Sequence, residues 1–139
     1  QRGASLGARM DAAADDEAGA RPLLLRGSDS PAMPRARFEE VLEPLARHDV
    51  AIAPDRDGGY SLIGLGDAWP GLFTHPMSTD RVLADTLDRA DRLGARTALV
   101  GRCFDVDRGE DLAALHGLRG APEADLCPRT LEFLDKEGL

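Results

Sequence analysis

The chain has little of what most binding or scaffolding classes need. It holds 2 cysteines in 139 residues, Cys103 and Cys127, far apart and in no CxxC pair. A disulfide framework or a zinc site is therefore not expected, and a reducing cytoplasm is the default compartment. Aromatic residues make up 4% of the chain, and no Lys/Arg cluster interleaves with them. The formal net charge is −8, which repels a polyanion, so a nucleic-acid partner is excluded. No apolar run approaches the length that spans a bilayer, and no leader resembling a signal peptide is present. The surface suits a small, locally coordinated anion, with a metal ion between it and the carboxylates.

What is present is an ordinary globular composition, 42% hydrophobic and 30% charged, on a length that suits one domain over residues 1–139. The first residue is Gln1, and "RGASLGARM" follows it as the middle of a protein would. The expectation is a fragment, a processed chain or a missing N-terminal segment.

Periodicity places the elements. "SLGARMDAAADDEAGA" spaces Leu6, Met10 and Ala14 four apart, which predicts a helix ending near Gly19. "RPLLLRG" is a short apolar run between Pro and Gly, a buried strand. "PRARFEEVLEPLARHD" sets Phe38, Val41, Leu42 and Leu45 on one helical face, with Pro34 in the first turn and Pro44 as a kink or stop. "DVAIAP" and "YSLIGLG" are strands joined by "DRDGG", which is turn chemistry. "STDRVLADTLDRADRLG" is the clearest helix, with Ser78 or Thr79 as its cap and Gly94 at its end. "ARTALVG" is a fourth strand. "RGEDLAALHG" and "CPRTLEFLDKEGL" are further helices. The alternation predicts an α/β domain with a mostly parallel sheet and helices on its faces.

Ligands in such sheets sit beyond the carboxyl ends of strands. Asp29 lies there in "GSDSP", after Gly27 and Ser28; its rival role is a cap or an Asx turn. Asp105 and Asp107 in "FDVDRGEDL" share a face if the segment is extended, and two carboxylates together favour a hard divalent cation. The rival reading makes Asp107 or Asp111 a helix-start residue. Asp57-Gly58 reads as a hairpin turn, while the second glycine, Gly59, lets a ligand approach the backbone. His75 stands in a loop before a helix, where an incidental role is the rival. His48 and His116 read as surface residues. Trp69 and Phe73 read as closing the core.

Five stretches occur in order: "QRGASLGAR", "GSDSP", "DGGYSLIG", "STDRV" and "DVDRGEDL". Together they resemble a bacterial family of GT-A-like glycosyltransferases, of arsenosugar-biosynthesis or nucleotide-diphospho-sugar transferase type, over Gln1 to about Leu115. The resemblance implies a GT-A fold, a Rossmann-like three-layer α/β sandwich that is here the C-terminal part of the whole. It implies sugar transfer from a nucleoside-diphosphate sugar to a small acceptor, with magnesium or manganese. Asp29 takes a metal-binding place. Pro31 occupies the second acidic position of the DxD pattern, so Asp105 or Asp107 is the further ligand. Gly27, Ser28, Asp57, Gly58, Gly59, Tyr60, Ser78 and Thr79 fall on the substrate side, and Asp57 is the candidate general base. Relatives carry a basic N-terminal strand–loop region for the nucleotide, which this chain lacks. The enzymatic alternative is a nucleotidylyltransferase of the same fold. The non-enzymatic one is a truncated scaffold that binds a partner, as a homodimer or against the missing segment.

Overall fold

A computed structural model describes residues 4–17 and 19–138. Helix α1 (Leu6–Asp16) starts at Ser5, whose hydroxyl accepts the Ala8 N–H at 3.2 Å. Strand β1 (Leu23–Arg26) follows, then α2 (Arg35–Leu42) with a 3-10 turn at Glu43–Ala46 where Pro44 stops the α-helix. Strands β2 (Val50–Pro54) and β3 (Tyr60–Leu65) come next, then α3 (Val82–Arg92) and β4 (Thr97–Leu99). Helix α4 (Gly109–His116), a 3-10 turn at Pro122–Leu126 and α5 (Pro128–Glu137) complete the order. No described helix is long and apolar enough to cross a membrane.

The four strands form one sheet in the order β1-β3-β2-β4. The α/β class expected from alternation stands, but the sheet is mixed. Strand β3 pairs antiparallel with both β1 and β2, and only β2 and β4 pair in parallel. The five residues between Pro54 and Tyr60 are too few for a crossover, so β2 must reverse into β3. Strands β1, β2 and β4 still run the same way. Their carboxyl ends, and the start of β3, therefore meet at one edge of the sheet.

Alternation along the strands sorts side chains to two faces. Val50, Ile52, Ile63 and Leu65 meet α1, α3 and the buried Phe73 on one face, with Trp69 packed against them. Ala51, Ala53 and Leu62 meet Met33, Val41, Phe38 and Leu45 of the α2 region on the other. A third cluster joins α4 to α5 through Leu115, Leu131 and Leu134. The layers are helix, sheet, helix. Leu42 departs from its expected place: it is exposed at the end of α2, where the 3-10 turn begins.

Gly64 sets how closely α2 lies on the sheet. A Cβ there would stand 2.7 Å from Val41 Cγ1 and 3.0 Å from Leu45 Cδ1. Gly64→Ala should cost about 1–3 kcal/mol of stability through overpacking. Denaturant unfolding of the variant measures it, and an unchanged midpoint would show that α2 yields freely.

Candidate functional site

A cavity of about 740 Å3 opens at the edge where the three strands end. Residues beyond β1 (Gly27, Asp29, Ser30), the β2–β3 loop (Asp55, Asp57, Gly59, then Tyr60) and the extended segment after β4 (Asp105, Asp107) line it. Its opposite wall is α1, through Leu6, Arg9, Met10 and Ala13, and its end is the turn before α3, Met77 to Asp80.

Of the expected site residues, Gly27, Asp29, Asp57, Gly59, Tyr60, Ser78, Thr79, Asp105 and Asp107 line this cavity. Ser28 and Gly58 are not among the described lining residues. The Ser28 hydroxyl donates to Asp29 Oδ1 at 2.8 Å. The oxygens of Asp55, Asp57 and Asp105 all lie within 4.8 Å of one another. Asp29 and Asp107 share the cavity but stand outside that trio. Asp29 is held in place by its own carbonyl, which accepts the Val106 N–H at 2.9 Å. That bond ties the β1 loop to the Asp105–Asp107 segment. Asp111 is a helix-start residue: its carboxylate accepts the N–H groups of Arg108 at 2.8 Å and Asp107 at 3.1 Å.

Asp55 was not singled out from the sequence. The signal was there, an acid two residues before Asp57 at the end of a fully apolar strand, but "DRDGG" read as turn chemistry alone. The loop is both. Asp55 is 9% exposed and its Oδ1 accepts the Gly59 N–H at 2.7 Å. A Cβ on Gly59 would stand 2.8 Å from Asp55 Oδ2, so any other residue there would have to push the carboxylate out of this position. Gly58 has φ +93 and packs on the Asp80 backbone, while its carbonyl accepts the Leu83 N–H at 2.8 Å. The glycine pair thus admits protein groups, Asp55 and the α3 entry.

Helix α3 begins later than the serine and threonine suggested. Its N-cap is Arg81, and Thr79 Oγ1 accepts the Arg81 N–H at 3.3 Å in the preceding turn, where Ser78 adopts φ +62. Tyr60 is anchored from the same helix. Thr86, fully buried, places Oγ1 3.2 Å from the Tyr60 hydroxyl and 2.9 Å from His75 Nε2. Burial pushes the Tyr60 hydroxyl up to about 12.

Among the described residues no basic side chain makes an ion pair with Asp55, Asp57, Asp105 or Asp107. Arg56, between Asp55 and Asp57, lays its guanidinium over the Phe104 ring, 5.6 Å from the centroid. Burial, with Asp57 adding, pushes the Asp55 carboxyl up to about 7. Asp57 accepts a hydrogen bond from Asp55 and is held below the usual carboxylate range. Burial, then the neighbouring acids, raises both Asp105 and Asp107. Arginines stand at the cavity's borders. Arg9 makes no ion pair with a described residue, and Arg26 Nη2 donates to the Ser30 carbonyl at 2.6 Å.

The chain belongs to a bacterial protein family. Residues 1–79 match the family described as "Uncharacterized protein conserved in bacteria (DUF2064)". Among solved structures it is similar to a protein of Desulfovibrio desulfuricans G20 described as a "putative nucleotide-diphospho-sugar transferase". The two are 28% identical with a TM-score of 0.84, over 99% of this chain and 62% of that one. The chain thus spans under two thirds of the length of the structure it matches. No curated protein matches it.

The Asp55 shift has a sign. The folded chain keeps this proton up to about pH 7, whereas an unfolded aspartate releases it near 3.8. Between those values the folded state binds more protons, so stability falls as pH rises. Without added metal, the melting temperature should drop from pH 5 to pH 8, and less steeply in Asp55→Asn. Equal slopes in the two proteins would place the pH dependence elsewhere.

Proposed function

We propose that the protein transfers a sugar from a nucleoside-diphosphate sugar to a small acceptor hydroxyl, with a divalent cation at the carboxylate cavity. The observation that carries this reading is the Asp55, Asp57 and Asp105 trio, placed beyond the ends of the two parallel strands β2 and β4 of a fold shared with the D. desulfuricans protein. An all-oxygen, all-carboxylate donor set suits magnesium or manganese. Burial and the neighbouring acids raise the Asp55 and Asp105 carboxyls, a crowding that a bound cation would relieve.

Asp55, Asp57 and Asp105 would hold the cation, with Asp29 and Asp107 completing the acidic wall. When bound, the cation would offset the charge that grows on the departing diphosphate. Asp57 is the more strongly ionised member of its pair. An ionised carboxylate of low proton affinity suits a ligand better than a general base near neutral pH. In this reading Asp57 therefore moves from base to ligand. The Tyr60 ring, fixed through Thr86, and the apolar side of α1 would orient the sugar and acceptor and thin out water there.

Calorimetric titration with manganese and a panel of nucleotide-sugars tests the reading. The wild-type protein should bind at least one nucleotide-sugar only when the cation is present. Asp57→Asn, which keeps shape and removes charge, should lower that affinity at least about tenfold, and Asp29→Asn should lose cation-dependent binding as well. Absence of any binding by wild type would overturn the transferase reading and favour a non-catalytic scaffold.

A further inference from the structure

Two hydroxyls at this cavity have no use in the fold. Ser30 is 1% exposed and Ser61 is 5% exposed, and both line the cavity. Neither Oγ has a hydrogen-bond partner among the described residues. Their backbones, in contrast, are fixed. The Ser61 carbonyl accepts the Gly27 N–H at 2.9 Å, and the Ser30 carbonyl accepts from Arg26. A buried hydroxyl left unpaired costs free energy that alanine would not. Such groups are kept out of ordinary cores and call for an explanation.

We propose that Ser30 and Ser61 form a polyol subsite of the cavity and contact hydroxyls of the transferred sugar. The inference rests on the transferase reading and names residues for its sugar end. A turn about χ1 can redirect either hydroxyl, since serine has three staggered positions and little bulk. A serine hydroxyl donates one hydrogen bond and accepts others, and so does each sugar hydroxyl. The adjoining carboxylates of Asp29 and Asp55 only accept when ionised, which again suits a donor hydroxyl and repels a bare anion. A neutral polyol is the ligand chemistry that pairs with both kinds of wall. The diphosphate, being anionic, needs the cation or an arginine beside it, and the neutral serines supply no charge for it.

The test separates the sugar from the nucleotide. Ser30→Ala, Ser61→Ala and the double variant are titrated, in manganese, with the nucleotide-sugar that wild type binds and with its parent nucleoside diphosphate. The double variant should lose about tenfold or more in affinity for the nucleotide-sugar. Its affinity for the nucleoside diphosphate should stay within about twofold of wild type. Thermal melting runs alongside: an orphan hydroxyl replaced by a methyl hydrogen should leave the melting temperature unchanged or raise it. Equal loss for both ligands, or no loss for either, would overturn the subsite. So would a marked fall in melting temperature, which would make the serines structural. If wild type binds the nucleoside diphosphate but gains nothing from the sugar, the subsite falls while the nucleotide site stands. If wild type binds neither ligand, the transferase reading falls and the subsite falls with it.

Discussion

The hydrogen bond from the Gly59 N–H to Asp55 Oδ1, at 2.7 Å, is the contact on which the cavity depends. It turns an acid at the end of a fully buried strand back over its own loop, in contact distance of Asp57 and Asp105. The loop also holds α3, because the Gly58 carbonyl accepts the Leu83 N–H in the first turn of that helix. Helix α3 in turn carries Thr86, which anchors Tyr60. One five-residue turn thereby connects the sheet, the helix that covers it and three lining side chains. Its two glycines serve close packing between protein groups: a side chain at Gly59 would push the Asp55 carboxylate aside, and one at Gly58 would meet the Asp80 backbone at the entry to α3.

The direction of β1, β2 and β4 explains why carboxylates from three distant segments meet. Each strand delivers its following loop to the same edge, and the bond from Val106 N–H to the Asp29 carbonyl ties two of those loops together. The arrangement places like charges side by side. Coulomb repulsion there is opposed by the surrounding fold, since Ala51, Ile52 and Ala53 of β2 are fully buried and cannot withdraw. The result is that Asp55, Asp105 and Asp107 hold their protons more tightly than free aspartates, a local cost consistent with a functional edge.

Much of this was legible in the amino-acid order, and the limits are physical. The stripe of Val82, Thr86 and Ala90 identified α3, because burial of one face imposes a 3.6-residue period. The same period says nothing about caps, so Ser78 and Thr79 were expected at an N-cap that Arg81 occupies. Alternation marked the strands and the layers. Strand direction depended on the length of one loop, and so the mixed sheet was read as mostly parallel. Asp29, Asp105 and Asp107 were expected from their place beyond apolar strands and Asp57 from the family resemblance, and all four line the cavity. Asp55 was hidden, since a turn and a carboxylate site use the same residues. The orphan state of Ser30 and Ser61 could not be read at all, because it depends on which partners three dimensions withhold.

The charge of the chain sharpens what the cavity can accept. A protein at −8 repels an anionic donor at long range, and screening at physiological salt limits that repulsion to about 8 Å. Inside that distance, local groups decide. The described arginines at the cavity's border, Arg9, Arg26 and Arg108, are on α1, at the end of β1 and before α4, on separate elements, and Arg9 has no acidic partner among the described residues. The acids, in contrast, are concentrated where the strands end. A ligand with one anionic part and one neutral hydroxylated part can meet both kinds of wall, its charge toward the arginines and a cation held by the acids, its hydroxyls toward the serines. A simple dianion would meet six aspartates, and a simple polyol would leave the arginines unused. The distribution of charge along the walls thus favours a two-part ligand independently of the fold's likeness to any other protein.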